Sequence, residues 1–312
     1  MSHHRINRHN HNAIGVKTSE LFTFSRYTVA CERHPNRNED TIIAHEPSGL
    51  AAVFDGVGGS AAGEIASQTA ARSTIEGWKR TLQQVQKGRK VYRILEEQKE
   101  HSHADLCTIL EQLVLDADEQ VRNDGARRAG TSDLATTVAL AAFIRKTDTP
   151  GYTMVHAHVG DSRIYLLRAN EPLKRLTNDD GLLAKLVENQ VVHESDALRI
   201  DQAMRTDQLS DTEYSYFRLR GGITQALGGP LPPIIHLDQV SVFPGDRILL
   251  CTDGIHDNLI DEEIEAILRS EPRTSVARLL VEHSIERSHQ ERHFTVRAKP
   301  DDMSAIVITC RY

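Results

Sequence analysis

Four aspartates stand at the ends of apolar, strand-like runs: Asp55 in AAVFDGVGG, Asp161 in VHAHVGDSRIY, Asp253 in RILLCTDGIHD and Asp301 in KPDDMSAIVI. Carboxylates gathered at strand ends, with glycine beside them, are the donors a hard divalent cation takes, and hydrated divalent cations hydrolyse phosphate esters. The glycines after Asp55 permit positive φ and close approach of a backbone carbonyl to whatever that aspartate binds. A glycine-rich turn after a strand is also the form of a phosphate cradle, but GVGGSAAGE has neither the Walker lysine nor the GxGxxG spacing. Nucleotide binding is therefore set aside. Any single Asp-Gly at a strand end is more often a turn than a ligand, and HVGDSR reads as a tight turn between two strands. The recurrence of the pattern, together with NED at Asn38, Glu39 and Asp40 and DDMS before the last apolar run, argues for one shared site.

Strands must present these carboxylates. FTFSRYTVAC, TIIAHE, LAAVFD, LATTVALAAFI, YTMVHAHVG, SRIYLLR, IIHLDQVSVF, DRILLCTD and MSAIVITC are short, rich in β-branched and aromatic residues, and bounded by Gly, Asp or Pro. Between Gly59 and about Gly125 the apolar period becomes helical, as in Ile65, Ala66, Thr69 and Ala70 and again in Leu106, Ile109, Leu110, Leu113 and Val114, which predicts two helices. The charged stretch WKRTLQQVQKGRKVYRILEEQKEHSH between them reads equally as a helical extension or a mobile connection, its Lys87, Arg89, Lys90 and Arg93 forming a solvated face. Residues 181–222 read as helix and loop, DEEIEAILRS and SVARLLVEHSIERSH as helices. Strands at both ends of the chain and helices in blocks favour an α+β layered sandwich with antiparallel sheets over a doubly wound parallel sheet. Residues 1–20 read as a disordered His/Asn-rich tail, whose His3, His4, His9 and His11 lack the Cys or carboxylate that would make a metal site convincing. Residues 21–312 read as one domain.

Composition narrows the function class. A chain of 312 residues, 39% hydrophobic and 26% charged, can build a sizeable core. Its formal net charge of −7 gives no reason to expect nucleic acid or an anionic membrane as partner. Cys31, Cys107, Cys251 and Cys310 include no CxxC pair and read as reduced thiols, hence a reducing compartment. No apolar stretch approaches the ~18 residues of a membrane span, and the first residues are polar, so a cytoplasmic protein is expected.

The ordered set NED, DGVGG, ATTVALAAF, HVGDSRIY, LTNDDG, ITQALGG, TDGIHD and DDMSAIVI, from roughly Tyr27 to Ile308, resembles the successive blocks of the metal-dependent serine/threonine protein phosphatases, the PPM or type 2C family. The resemblance implies a four-layer αββα sandwich, two central antiparallel sheets flanked by helices, with two Mg²⁺ or Mn²⁺ ions at one end. It implies hydrolysis of phosphoserine and phosphothreonine in proteins by a water or hydroxide activated at that binuclear centre, with no covalent intermediate. Carried over residue by residue, Asp55 resembles the aspartate shared by both ions and Gly56 a carbonyl ligand. Asp253 and Asp301 resemble the other ion's ligands, and Asp302 stands where Asn is usual. Glu39 and Asp40 resemble an acidic pair acting directly or through water. Asp161, Asp253 and Asp257 resemble the ligands of a third, weaker ion. The substrates implied are phosphorylated proteins, opposing a serine/threonine kinase.

Three departures matter. Animal and plant members often carry His after the DG of this block, whereas Val57 stands here, so the leaving group must be protonated by another source, and the pattern looks bacterial. The arginine that usually grips substrate phosphate falls at Pro35, flanked by Arg33 and Arg37, of which Arg37 is preferred for the role. Ala135 replaces the glycine before the paired threonines. Segment 181–222 occupies the place of the family's variable flap. The displaced arginine keeps two alternatives open: a catalytically weak regulatory module that binds phosphoproteins, or a hydrolase of small phosphate esters.

Overall fold

A computed structural model describes residues 21–57, 61–86, 101–128, 134–145 and 151–311. Each of the nine predicted apolar runs is a strand. One sheet is ordered β1 (Phe22–Val29), β11 (Met303–Cys310), β10 (Arg247–Cys251), β7 (Arg163–Leu167), β8 (Lys174–Arg175). The other is ordered β2 (Asp40–His45), β3 (Leu50–Val57), β5 (Val138–Arg145), β6 (Tyr152–Val159), β9 (His236–Val242), with β4 (Ala135–Thr136) paired to the end of β3. Each pairing is antiparallel.

The period of two along these strands sorts their side chains into separate layers. On β3, Ala51 and Val53 face the other sheet, while Leu50, Ala52 and Phe54 face helices. On β11, Ile306 and Ile308 face the inter-sheet core, and Ala305 and Val307 the opposite helices. Helix α1 (Ala61–Gln86) buries Ala66, Ala70 and Trp78, and α2 (His101–Arg128) buries Leu106, Leu110, Leu113, Val114, Ala117 and Val121, a helical stripe packed on the β3 sheet. The Trp78 indole donates to Ser48 Oγ at 2.6 Å, which satisfies its buried N–H. Across the molecule, α7 (Asp261–Ser270) and α8 (Val276–Ser288) cover the β10–β11 sheet with Ile264, Leu268, Val276, Leu280 and Val281. Helix α7 opens with Asp261, Glu262 and Glu263, and Glu263 accepts from the Ile260 amide at 3.1 Å, so the positive end of its dipole is met. The layers are thus helix, sheet, sheet, helix, as expected.

The tight connection expected around Asp161 is present, Gly160, Asp161 and Ser162 joining β6 to β7, but it is not a hairpin, because the two strands lie in different sheets. The connection crosses the end of the sandwich, and Gly160 adopts φ +99 to do so. Segment 181–222 folds as α3 (Leu182–Glu188), α4 (Glu194–Asp201) and α5 (Asp211–Phe217) around a small core of Leu183, Val192, Ala197, Ile200, Ala203 and Phe217. It is tied down by Arg163, buried, which bonds Asp179 at 2.6 Å and Asp201 at 3.2 Å. The His/Asn-rich tail at 1–20, Gly58 and Gly59 of the glycine turn, and residues 87–100 of the charged stretch lie outside the described residues.

Candidate metal centre

Five strand ends converge at one end of the sandwich. Asp40 opens β2 directly opposite Asp55 near the end of β3. The Asp55 backbone is clamped by two threonines, whose Thr136 hydroxyl and Thr137 amide both donate to its carbonyl at 2.8 Å. Thr137 Oγ1 in turn lies 2.8 Å from Ser162 Oγ, which links Asp55 to the crossing that carries Asp161. Asp253 begins the short helix α6 (Asp253–His256) after β10, and the preceding Thr252 donates to Asp40 Oδ2 at 2.7 Å. Asp301 precedes β11, and its neighbour Asp302 accepts from the Cys31 amide at 2.6 Å and the Glu39 amide at 2.7 Å. Asp302 thereby ties the β1–β2 loop to the β11 entry. Two glycines are required by close approach: a Cβ at Gly56 would strike the Gly63 and Glu39 carbonyls, and one at Gly254 the Asp302 carbonyl.

The cluster is a site of strong negative potential. Burial, and then the charges of Asp253, Asp40, Asp161 and Asp301, push the Asp55 carboxyl well above its usual range. Burial raises Asp40 likewise, despite hydrogen bonds from Thr252 and Ser304, and burial with Asp253 and Asp179 raises Asp161. Burial followed by repulsion from Asp253 raises Asp301 to about 6. Carboxylates forced together in this way call for a cation, and one is built in. Lys299 Nζ lies 2.5 Å from Asp253 Oδ2, 2.7 Å from Asp257 Oδ2 and 3.1 Å from Asp301 Oδ2. Burial works against its charge, but Asp253, Asp257 and Asp301 outweigh it and hold the ammonium pKa well above its usual value.

Asp257 is held from a second side, its Oδ1 lying 3.2 Å from an Arg220 guanidinium nitrogen at the end of the 181–222 segment. Burial opposes its charge, yet Arg220 and then Lys299 keep it fully ionised. Glu39 stands at the rim. Its amide bonds Asp302, and its carboxylate is 3.2 Å from Arg37 Nε, while burial raises it and Arg37 opposes that rise. Arg33 is exposed, whereas the Arg37 side chain is 29% exposed and already turned to the rim. The structure therefore brings Asp40, Asp55, Asp161, Asp253, Asp257 and Asp301 into one electrostatic cluster, with Gly56 beside it and Glu39 and Arg37 at its edge.

Lys299 and Arg220 are the cations paired with this cluster that sequence reasoning missed. Lys299 stands two positions before Asp301, a cation inside an acidic motif, and that was the only available signal. Asp40 Oδ1 is buried without a hydrogen-bond partner, and Glu39 Oε1 has only its ion pair with Arg37. Oxygen donors, an orphaned carboxylate oxygen and unsatisfied negative charge fit hard divalent ions that retain several waters.

Residues 30–292 match the family model described as Protein phosphatase 2C. The chain is 28% identical over 239 residues to the serine/threonine phosphatase stp of Listeria welshimeri, covering 76% of this chain and 79% of that protein. It is 29% identical over 266 residues to the serine/threonine protein phosphatase PstP of Mycobacterium tuberculosis, covering 82% of this chain and 41% of that protein. In fold it resembles the crystal structure of the Mycobacterium tuberculosis phosphatase PstP/Ppp, with TM-score 0.67 and 22% identity over 94% of this chain and 100% of that one. The PstP catalytic domain in complex with two manganese ions is similar in fold, with TM-score 0.64 and 23% identity over 94% of this chain and 99% of that one.

Proposed function

The chain belongs to the protein phosphatase 2C family, and on that premise we propose that it hydrolyses phosphoserine and phosphothreonine in proteins at the carboxylate cluster, with Mn²⁺ or Mg²⁺ as its ions. The observation that carries this reading is the convergence of Asp40, Asp55, Asp161, Asp253 and Asp301 from separate strand ends, where burial and neighbouring carboxylates raise the pKa of Asp40, Asp55, Asp161 and Asp301. Asp55, Asp253 and Asp301, with the Gly56 carbonyl, would hold two ions, Glu39 and Asp40 would act beside them, and Asp161, Asp253 and Asp257 would hold a weaker third. When bound, such ions supply an activated water and positive charge against the phosphoryl oxygens.

The chain's own residues do the rest. Arg37, at the rim, presents a guanidinium fork to the substrate phosphate, exchanging its pairing with Glu39 for the dianion. Thr136 and Thr137 fix the Asp55 backbone, and Thr252 fixes Asp40, so the donors are held before substrate arrives. Segment 181–222, anchored through Arg163 and Arg220, walls one side of the mouth and presents the surface against which a protein substrate would lie. Among the described residues no helix is long and apolar enough to cross a membrane. The four cysteines are free, three of them buried, which supports a reducing cytoplasmic setting; a phosphatase of this specificity would there oppose a serine/threonine kinase.

Assay of phosphopeptides and small phosphate esters with Mn²⁺, with EDTA, and with Asp55→Asn tests this reading. Phosphopeptide turnover that EDTA abolishes, and that the substitution lowers by at least ~10²-fold, is the expected result. Turnover that survives exhaustive chelation refutes the metal mechanism. Turnover of small esters alone would point to a different phosphoryl hydrolase, and binding without turnover to a regulatory module.

A further inference from the structure

On β6 the face that begins with the buried Tyr152 and Met154 continues with His156 and His158, so the two-residue period carries imidazoles onto a surface that is apolar core further back. The partner strand β9 sets His236 opposite His158 and Asp238 opposite His156. The His158 and His236 rings stack with centroids 4.7 Å apart. Asp180, on the loop after β8, reaches the same place: its Oδ1 lies 2.8 Å from His236 Nε2, and its Oδ2 accepts from the Gly160 amide at 2.9 Å. These groups line a cavity of about 690 Å³ beneath α3 and α4, whose lining includes none of the clustered carboxylates Asp40, Asp55, Asp161, Asp253, Asp257 and Asp301.

The tautomer of His158 is dictated by its neighbour. Its Nε2 is 2.8 Å from the Asn178 carbonyl oxygen, which can only accept, so Nε2 carries the hydrogen and Nδ1 the lone pair. That Nδ1 is buried with no hydrogen-bond partner, in a residue only 5% exposed. Burial lowers the His158 pKa, the Asn178 carbonyl opposing, so the ring stays neutral and the lone pair free. An imidazole that gives one N–H to a backbone carbonyl and keeps the other nitrogen bare has the arrangement of a metal-ligating histidine.

We propose that His158, Asp180 and His236 form a second metal site, separate from the carboxylate cluster, selective for a borderline transition ion such as Zn²⁺. One donor atom from each residue lies within 4.8 Å of the others. Tetrahedral zinc, with bonds of ~2 Å, separates its ligands by about 3.3 Å, so a modest closure by the half-exposed His236 suffices. Two imidazole nitrogens and one carboxylate suit zinc over Mg²⁺ or Mn²⁺, which favour oxygen. The chemical consequence follows from chain order. Asp180 immediately precedes segment 181–222, His236 follows it at the start of β9, and His158 belongs to a central strand. An ion there clips both ends of the segment to the sheet and sets the mobility of the wall beside the active mouth.

The test uses the full chain in excess Mg²⁺, which fills oxygen sites, titrated with Zn²⁺ against a chromophoric chelator, and with Co²⁺ read by visible d–d absorption. The wild type is compared with His236→Ala and Asp180→Asn, after thermal melts confirm that each is folded. One zinc in the wild type is expected to persist in Mg²⁺, weakened at least ~10-fold by either substitution. Hydrogen exchange of amides 182–222 should slow on zinc addition in the wild type alone. Any zinc taken by His3, His4, His9 and His11 would be common to the three proteins and would cancel in the comparison. Equal zinc binding in His236→Ala and wild type, or no zinc retained in Mg²⁺, overturns the proposal. Neither readout depends on phosphatase activity, so its failure and that of the proposed reaction remain distinct.

Discussion

Removing Lys299 should tighten divalent-ion binding at the carboxylate cluster. The ammonium lies 2.5 Å from Asp253 Oδ2 and 3.1 Å from Asp301 Oδ2, two carboxylates assigned to the ions. An ion bonded to either oxygen at ~2.1 Å would stand within about 5 Å of that ammonium unless the lysine swings away. The side chain is 38% exposed, so water screens it. At an effective dielectric of roughly 40–80, a unit charge about 5 Å from a divalent ion costs ~2–3 kcal/mol, or about 30- to 150-fold in Kd. Lys299→Ala should therefore lower the Kd for Mn²⁺ by up to that factor, less whatever the wild type recovers by moving its flexible stem outward. Titration calorimetry with Mn²⁺, beside activity as a function of Mn²⁺ concentration, measures it. Lys299→Arg keeps the charge and should resemble the wild type. The metal-free Lys299→Ala protein should also melt lower, because three carboxylates lose their counter-charge, and should gain more in Tm when Mn²⁺ is added. Unchanged or weaker Mn²⁺ affinity in Lys299→Ala would refute the view that this lysine competes with the ions.

The rim arginine is tested by kinetics: Arg37→Ala should raise KM for a phosphopeptide ~10-fold or more, while the exposed Arg33→Ala stays near wild type, and the reverse pattern moves the role to Arg33. Asp161→Ala should lose turnover while keeping its thermal midpoint within a few degrees if that carboxylate holds a weak third ion. A destabilised variant with normal turnover per folded molecule would make it structural only. His256, 2% exposed, donates from Nε2 to the Asp161 carbonyl, and burial, then Arg163, lower its pKa from 6.5 to about 4. Between those values the unfolded chain binds the proton and the folded one does not, so this group's contribution is present above pH 6.5 and lost as pH falls toward 4. His256→Gln should therefore lose less stability than the wild type between pH 7 and pH 4.5, by roughly 2–3 kcal/mol in urea titrations with chelator present. Parallel acid losses in the two proteins would show that His256 is not buried neutral.

The sequence by itself determined the elements and most of the acidic site. The short apolar runs LAAVFD and MSAIVITC, the helical spacing from Leu106 to Val114, and aspartates at strand ends are local patterns, and each is an element or a cluster residue in the structure. Tertiary structure alone decided which strands share a sheet. Residues 152–159 and 163–167 read as neighbours across a tight turn, yet β6 and β7 part into different sheets, because pairing partners are chosen by packing over the whole chain. It alone placed Lys299 among Asp253, Asp257 and Asp301, and Arg220 on Asp257. It alone set His158 beside His236 and Asp180. Periodicity reports how a segment meets its own layer, but a charge's partner depends on long-range closure of the chain, which no spacing in the sequence encodes.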